Sequence, residues 1–352
     1  MSFTADDDNL STGIRSARFR AIMSMVKFGI LSTAKIGREH LAPAILQADN
    51  AQLAGIASRD QKKARQLADH FSARHAFASY EELLASDAID AVYIPLPTSH
   101  HVEWTLKAIA AGKHVLCEKP ISLKASDIKR IIKARDKAGV IVSEAFMVTY
   151  HPQWLKVKEL VRKGVIGNLR MIDSSFTYFN KDGGNMRNQP ELGGGALPDI
   201  GVYPTVAARF VTGREPASLT ATVEYDPQFA TDCYAHTQIA FDEFDMRMYV
   251  STQMGNRQTM VFHGDKGLIE LSAPFNSNLY EGDEVRVHNR AHSETRVYRY
   301  TGVNQYRCQI EAFAKAVRSG RQSVFSLEDS LLNQKVIDAI YKAGKSGKRV
   351  KV

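Results

Sequence analysis

Three cysteines in 352 residues, Cys117, Cys233 and Cys308, show no paired metal-ligand spacing and are too few for a disulfide framework. A zinc knot and a stapled secreted scaffold are both excluded, and a reducing cytoplasm fits. No apolar run reaches the roughly 18 residues that a membrane span needs, so nothing in the sequence anchors it to a bilayer. The first 24 residues carry Asp6 to Asp8 and Arg15 to Arg20 without an apolar segment or a twin-arginine pair. They read as a flexible extension, or as sequence upstream of a start near Met23 or Met25. Charge of one sign is also scarce. The net +8 comes from Lys and Arg that alternate with Asp and Glu along amphipathic segments, with no basic stripe of the kind that marks a nucleic-acid surface. A mildly basic surface suits instead a phosphate-bearing small ligand drawn into a cleft. There is no internal repeat.

What is present is an ordinary globular composition, 44% hydrophobic and 24% charged, in a chain longer than one core usually serves. Two domains are expected. From Val26 short apolar runs (Val26 to Leu31, Gln52 to Ala57, Ala91 to Ile94, His114 to Cys117, Val140 to Ser143) alternate with amphipathic segments such as Gln61 to His70, Val102 to Ala111 and Ala125 to Lys137. That rhythm predicts a parallel sheet with crossover helices, Gly112 and Gly139 standing where helix C-caps belong. After Met147 it changes. One helix near Gln153 to Lys163 precedes strands at Arg170 to Tyr178, Ser218 to Tyr225, Tyr234 to Phe241 and Arg247 to Thr252, several of them alternating polar and apolar residues. Further strands are expected at Thr259 to Phe262, Leu268 to Leu271, Glu284 to His288 and Thr295 to Tyr300, with closing helices near Tyr306 to Arg318 and Leu327 to Ala343. The fold class expected is α/β for a Rossmann domain over residues 25–146. An α+β domain with a large, mostly antiparallel, open-faced sheet follows over 147–352.

The stretch KFGILSTAKIG, Lys27 to Gly37, puts a tight turn between the first strand and a helix, the context in which helix N-terminal N–H groups hold pyrophosphate. Ser32 and Ala34 stand where the first two glycines of a G-x-G-x-x-G turn belong, and only Gly37 remains. The candidate turn residues are Ser32, Thr33, Ala34, Lys35 and Ile36. Ser58 and Arg59 close the second strand, where an acidic residue would grip an NAD ribose. An arginine there stacks on adenine and pairs with a 2′-phosphate, and Lys62 or Lys63 adds charge. NADP is favoured over NAD, and no metal is called for.

Pro95, Leu96, Pro97, Thr98, Ser99, His100 and His101 follow one strand, and Glu118, Lys119 and Pro120 follow the next, both at C-terminal strand ends where open α/β sheets bind ligands. The stretch IPLPTSHHVEWTLKAIAAGKHVLCEKP resembles the glucose-fructose oxidoreductase and inositol dehydrogenase family (Gfo/Idh/MocA), and the resemblance runs over nearly the whole chain from residue 25. It implies that Lys119 sits beside the nicotinamide and the reacting carbinol and that Lys119–Pro120 is a cis peptide. Thr98 departs from the family pattern, which usually has Asn there, while His101 matches the family histidine. Helix N-terminal packing is the competing reading for both histidines.

In the second domain a run of Gly193, Gly194 and Gly195 leads through Pro198 to Asp199 and Tyr203. On a helix starting near Pro198 those two are i and i+4 neighbours, a phenol positioned by a carboxylate, with a lysine nearby to lower its pKa from about 10. The competing reading makes Asp199 a helix cap and Tyr203 core. The stretch is similar to a subgroup that contains glucose-fructose oxidoreductase, NADP-dependent xylose dehydrogenase and dimeric dihydrodiol dehydrogenase, where a tyrosine replaces the histidine of inositol dehydrogenases. The resemblance makes Tyr203 the acid/base and places Arg187 and the segment Asn304, Gln305, Tyr306 at the cleft. His151 begins a helix that could border the sugar, and Trp154 reads as core.

The function this implies is hydride transfer between NADP and a sugar or cyclic polyol, of the aldose or pyranose dehydrogenase type. Keto-sugar (anhydrofructose-type) reduction and dihydrodiol oxidation are the nearest alternatives, and a non-catalytic NADP-binding sensor is the alternative from another class. Assembly into a homodimer or homotetramer through the second sheet is expected.

Overall fold

The structure, a computed structural model, describes residues 25–277, 282–321 and 325–352. The extension expected at residues 1–24 lies outside them. Six strands, β1 (Val26–Leu31), β2 (Ala51–Ala57), β3 (His75–Phe77), β4 (Ala91–Ile94), β5 (His114–Cys117) and β6 (Val142–Glu144), form a wholly parallel sheet in the order β3-β2-β1-β4-β5-β6. The order reverses between β1 and β4, and at such a reversal the loops beyond the strand C-termini part to make a crevice. β1, β4 and β5 read clearly in the sequence because burial on both faces demands unbroken apolar runs. β3 was not among the expected runs. It is three half-buried residues that add an edge.

The crossover helices are α1, whose Gly37–Leu41 stretch is π-wound before Ala42–Gln47, then α2 (Gln61–His70), α3 (Tyr80–Ala85), α4 (His101–Ala110) and α5 (Ala125–Ala138). Asp60 caps α2 by accepting from the N–H groups of Lys62 and Lys63, and Gly139 closes α5 at φ 67°.

The second domain opens with α6 (Pro152–Arg162), continues through β7 (Leu169–Phe179), and builds α7 (Val202–Thr212) from a π-wound turn at Leu197–Gly201. β8 (Ser218–Tyr225), β9 (Asp232–Ala240), β10 (Asp245–Ser251), β11 (Gln253–Gly264), β12 (Gly267–Leu271), β13 (Glu284–Asn289) and β14 (Thr295–Arg299) follow. With β15 (Val350–Lys351) they make a nine-stranded sheet in the order β14-β13-β12-β11-β7-β10-β9-β8-β15, antiparallel except where β10 meets β7. One face of it packs on α6, α7 and α9 (Leu327–Ser346) around Trp154, Phe176, Met248, Phe262 and Phe275.

A simple division of the chain at 146/147 misplaces one helix. α8 (Gln305–Ser319) comes late in the sequence, yet Ile310, Phe313 and Ala314 pack into the Rossmann core with Phe28, Ile45 and Tyr93, and the Phe28 and Phe313 rings lie 5.8 Å apart. Burial decides the placement. α8 covers β1 and β2 on a face that would otherwise meet water.

Candidate active site

A cleft of about 790 Å³ runs between the domains, at the β1/β4 reversal on one side and α7 and β7 on the other. Lys119 enters from the end of β5, on the N-terminal side of a cis peptide to Pro120. Asp199 enters from the π-wound turn, which the chain reaches through Gly195. At φ 136°, and with an added Cβ only 2.0 Å from the Asp232 carboxylate, that position admits glycine alone. The Lys119 Nζ donates to the Asp199 backbone carbonyl at 2.6 Å and to its Oδ1 at 3.0 Å, both side chains being 12% exposed. The other carboxylate oxygen accepts from Arg187 Nε at 2.8 Å and from the Tyr178 hydroxyl at 2.7 Å. Desolvation would raise the Asp199 pKa, but the Arg187 and Lys119 charges and these hydrogen bonds outweigh it and hold the carboxyl far below its ordinary range.

Tyr203 lines the same cleft, but its surroundings differ from those expected in two respects. Its hydroxyl meets the Met147 sulfur at 3.6 Å, not Asp199, and the phenol bonded to that carboxylate is Tyr178. The expected pairing of Asp199 with Tyr203 is therefore not formed, although both residues stand on the winding that runs from Leu197 into α7. Its pKa is raised well above 10 rather than lowered, by desolvation first and then by Tyr306, Glu118 and Asp199. Phe146, Phe176 and Phe275 ring it at centroid distances of 5.7 to 5.8 Å. The Lys119 ammonium lies 5.1 Å from its ring centroid, so the amine meets the face of the phenol rather than its oxygen.

On the cofactor side β1 leads into Ser32, held at φ 117°, a left-handed position where a dinucleotide turn normally has glycine. The Ser32 hydroxyl accepts from Ala34 N–H at 3.2 Å, and the Ser32 N–H donates to Ala57, which brings the ends of β1 and β2 together. Ala34, Lys35, Ile36, Pro95, Leu96, Glu118, Arg187 and Tyr306 all line the cleft. Glu118 accepts from the buried Tyr93 hydroxyl at 2.6 Å, and His40 stacks on Tyr306 with centroids 4.8 Å apart.

The oxidoreductase family with an NAD-binding Rossmann fold matches residues 26–146, and the GFO/IDH/MocA C-terminal domain matches residues 154–270. An uncharacterized oxidoreductase of Rhizobium meliloti is 39% identical over 331 residues, covering 92% of this chain and 98% of its own. The chain belongs to the Gfo/Idh/MocA oxidoreductase family. A D-xylose 1-dehydrogenase (NADP(+)) of Haloferax volcanii is 34% identical over 92% of this chain and 99% of that one. A 3-ketoreductase of Actinomadura kijaniata, solved in complex with NADP and TDP-benzene, superposes with a TM-score of 0.84 at 28% identity, covering 91% of this chain and 98% of that one.

The residues of this Gfo/Idh/MocA chain fit a nicotinamide dinucleotide. The turn from Ser32 to Ala34 presents the N–H groups of a helix start, and the end of β2 offers Ser58 and Arg59 and no acidic side chain before Asp60. Asp60 is committed to capping α2 and lies 3.9 Å from the Lys63 ammonium. Arg59 is exposed beside Tyr80, whose phenol burial pushes up and Arg59 pulls back. Ser32, Thr33, Ser58, Arg59, Lys63, Pro97 and His100 do not line the cleft itself. The first four belong to the adjoining ends of β1 and β2 and Lys63 to the first turn of α2, while Pro97 precedes the turn Thr98–His100 and His100 closes it, exposed against Ser99.

Two buried histidines bind backbone groups, and of the two only His101 lines the cleft. His151, expected near the sugar, is fully buried in the second domain. Its Nδ1 accepts from Gln153 N–H to cap α6, and its Nε2 lies 3.3 Å from the Asp283 carboxylate. His101 is buried with its ring nitrogens 2.7 Å from the carbonyl oxygens of Pro120 and Leu96, so it ties the two loops together. Burial draws its pKa down to about 4 against those two carbonyls, and the neutral ring donates to one of them. Trp154 is core, its indole N–H donating to Pro274. Tyr178, Asn256, Gln258 and Asn276, which line the cleft, and Tyr93, which donates to Glu118, stand in no motif that marks them in the sequence.

Beneath Pro120 and Ile121 lies Glu144, fully buried at the end of β6 and accepting from Ile121 N–H at 2.9 Å. Desolvation pushes its carboxyl up to about 7, against hydrogen bonds from Ser330 and Ile121 that pull it down. Between pH 4.5 and 7 the folded protein therefore keeps a proton that the unfolded chain releases. This contribution to stability is full below pH 4.5 and is lost as the pH rises to 7. Chemical denaturation should show wild type losing on the order of 3 kcal/mol relative to Glu144→Gln across that window. A pH-independent difference would contradict the assignment.

Proposed function

We propose that this chain is an NADP-dependent oxidoreductase acting on a carbinol or carbonyl carbon of a sugar or cyclic polyol, with Lys119, Asp199 and Tyr203 as its working residues. The observation that carries the reading is the meeting of a Rossmann-domain lysine with the carboxylate and phenol of the second domain at one crevice. NADP, when bound, supplies or takes up the hydride. Lys119, fixed by the Asp199 carbonyl and carboxylate, presents its remaining proton to the substrate oxygen and stabilises negative charge there. Burial keeps the Tyr203 phenol protonated, so it gives its proton to a carbonyl oxygen in reduction; in oxidation the same oxygen, once deprotonated, receives the hydroxyl proton. Asp199 positions the lysine. The same groups serve both directions, so reduction of a keto-sugar is a second reading within this chemistry.

Three unpaired cysteines support a reducing cytoplasm, and the large second sheet supports assembly into a homodimer or homotetramer. No helix among the described residues is long and apolar enough to cross a membrane. The test is a panel of aldoses, keto-sugars, cyclic polyols and dihydrodiols, followed by nicotinamide absorbance with NADP(H) and NAD(H). Turnover with an NADP preference of about tenfold or more is expected, since the end of β2 offers a cation and no acidic partner for a ribose. Tight NADP binding without turnover of any compound would favour a sensor. Arg59→Ala should raise the Kd for NADP by about tenfold and that for NAD, which loses only the adenine contact, by a smaller factor, read by fluorescence titration.

A further inference from the structure

Beyond Lys119, Asp199, Arg187 and Tyr178 the cleft is walled by the second domain, and its polar lining there includes the neutral amides of Asn256, Gln258 and Asn276. Asn256 and Gln258 stand two residues apart on β11, and both line the cleft. Gln258 is buried and both ends of its amide are engaged. Its oxygen accepts from the N–H groups of Phe275 at 3.3 Å and Asn276 at 3.1 Å, and its nitrogen donates to the Asn276 side-chain oxygen at 2.7 Å. Gln258 thereby fixes which way the Asn276 amide faces. The Asn276 NH₂ makes no hydrogen bond to another described residue, which leaves its two donors for a ligand.

The charges of the cleft point the same way. Lys119 and Arg187 share the Asp199 carboxylate, and Lys35, on the cofactor side, lies 3.8 Å from Glu39. Each cationic lysine or arginine lining the cleft among the described residues thus has a carboxylate beside it. A phosphate taken out of water here would have to compete with carboxylates for these cations, whereas recognition of phosphate draws on free guanidinium or ammonium groups. Fixed neutral amides are suited to hydroxyls, because they exchange hydrogen bonds with an uncharged polyol at no cost in unpaired charge.

We propose that the cleft selects an uncharged sugar over a phosphorylated or nucleotide-linked one, and that Asn276, oriented by Gln258 and seconded by Asn256, reads its hydroxyls. The inference rests on the sugar oxidoreductase reading above and adds the class of substrate. Isothermal titration of the NADP-loaded protein with D-xylose, D-glucose and scyllo-inositol, against glucose 6-phosphate and dTDP-glucose, tests it without requiring turnover. At least one uncharged compound should bind about tenfold or more tightly than either phosphorylated one. Asn276→Leu should weaken that binding by about fivefold to tenfold, the loss falling on KM more than on kcat. Asn256→Ala, at an exposed position with little bearing on folding, should weaken it in the same direction. A phosphorylated compound that binds as tightly as the best uncharged one, or an Asn276→Leu protein with unchanged Kd, would overturn the proposal. The two readings fail separately. Wild-type turnover by Tyr203→Phe would sink the catalytic reading and leave the titration to decide this one, while a winning phosphosugar alongside an inactive Tyr203→Phe would sink only the substrate class.

Discussion

Tyr203→Phe should lower turnover by about 10² or more while leaving NADP affinity within about twofold of wild type. The substitution removes one oxygen from a side chain packed among Phe146, Phe176 and Phe275, and its only hydrogen bond to another described residue is a weak one to the Met147 sulfur. Folding therefore loses little. The loss appears in the proton transfer, and because one phenol serves both directions kcat/KM should fall alike for reduction and oxidation. Tyr178→Phe is the informative companion, since Tyr178 is the phenol that donates to Asp199. Removing its hydroxyl leaves Arg187 and Lys119 on that carboxylate, so the smaller effect should come from Tyr178. The reverse ranking in steady-state kinetics would move the acid/base role to Tyr178.

Lys119→Ala should cost on the order of 10² to 10³ in kcat, the scale at which removal of a single preorganised donor to a developing charge is felt. The lysine donates twice to Asp199 and its ammonium lies over the Tyr203 ring, so its loss removes the one group that links carboxylate, phenol and Rossmann domain. Asp199 keeps Arg187 and Tyr178, and for that reason the variant should fold and bind cofactor. Lys119→Arg should not restore activity, because a planar guanidinium cannot place one proton where the ammonium does. Recovery by arginine would show that charge alone is required.

Much of this was legible in the sequence for identifiable reasons. The Rossmann strands are buried on both faces and so appear as unbroken apolar runs, and the second sheet announces itself by alternation along β8 and β9. Lys119, Asp199 and Arg187 were found from motifs. The π-winding that leads into Tyr203 has a visible source. Both π-wound turns, Gly37–Leu41 and Leu197–Gly201, come just before a proline inside the following helix, Pro43 and Pro204. Proline offers no N–H and crowds the carbonyl four residues back, and a turn one residue wider relieves both. A proline so placed was the available warning that α-spacing would not hold. The position of α8 was not legible, since only packing reveals that a late helix completes the first core. Nor was the role of Gln258, whose meaning depends on Asn276 standing opposite it, 18 residues further along the chain.

A crystal structure of the ternary complex with NADPH and a sugar accepted by the protein would bear most directly on the claim that Lys119 and Tyr203 serve one reacting carbon. The Tyr203 hydroxyl and the Lys119 ammonium should both stand within hydrogen-bond reach, about 2.6 to 3.2 Å, of the oxygen on the carbon facing nicotinamide C4. A sugar bound with that oxygen on Tyr178 or on solvent, and with Tyr203 still turned to Met147, would contradict it.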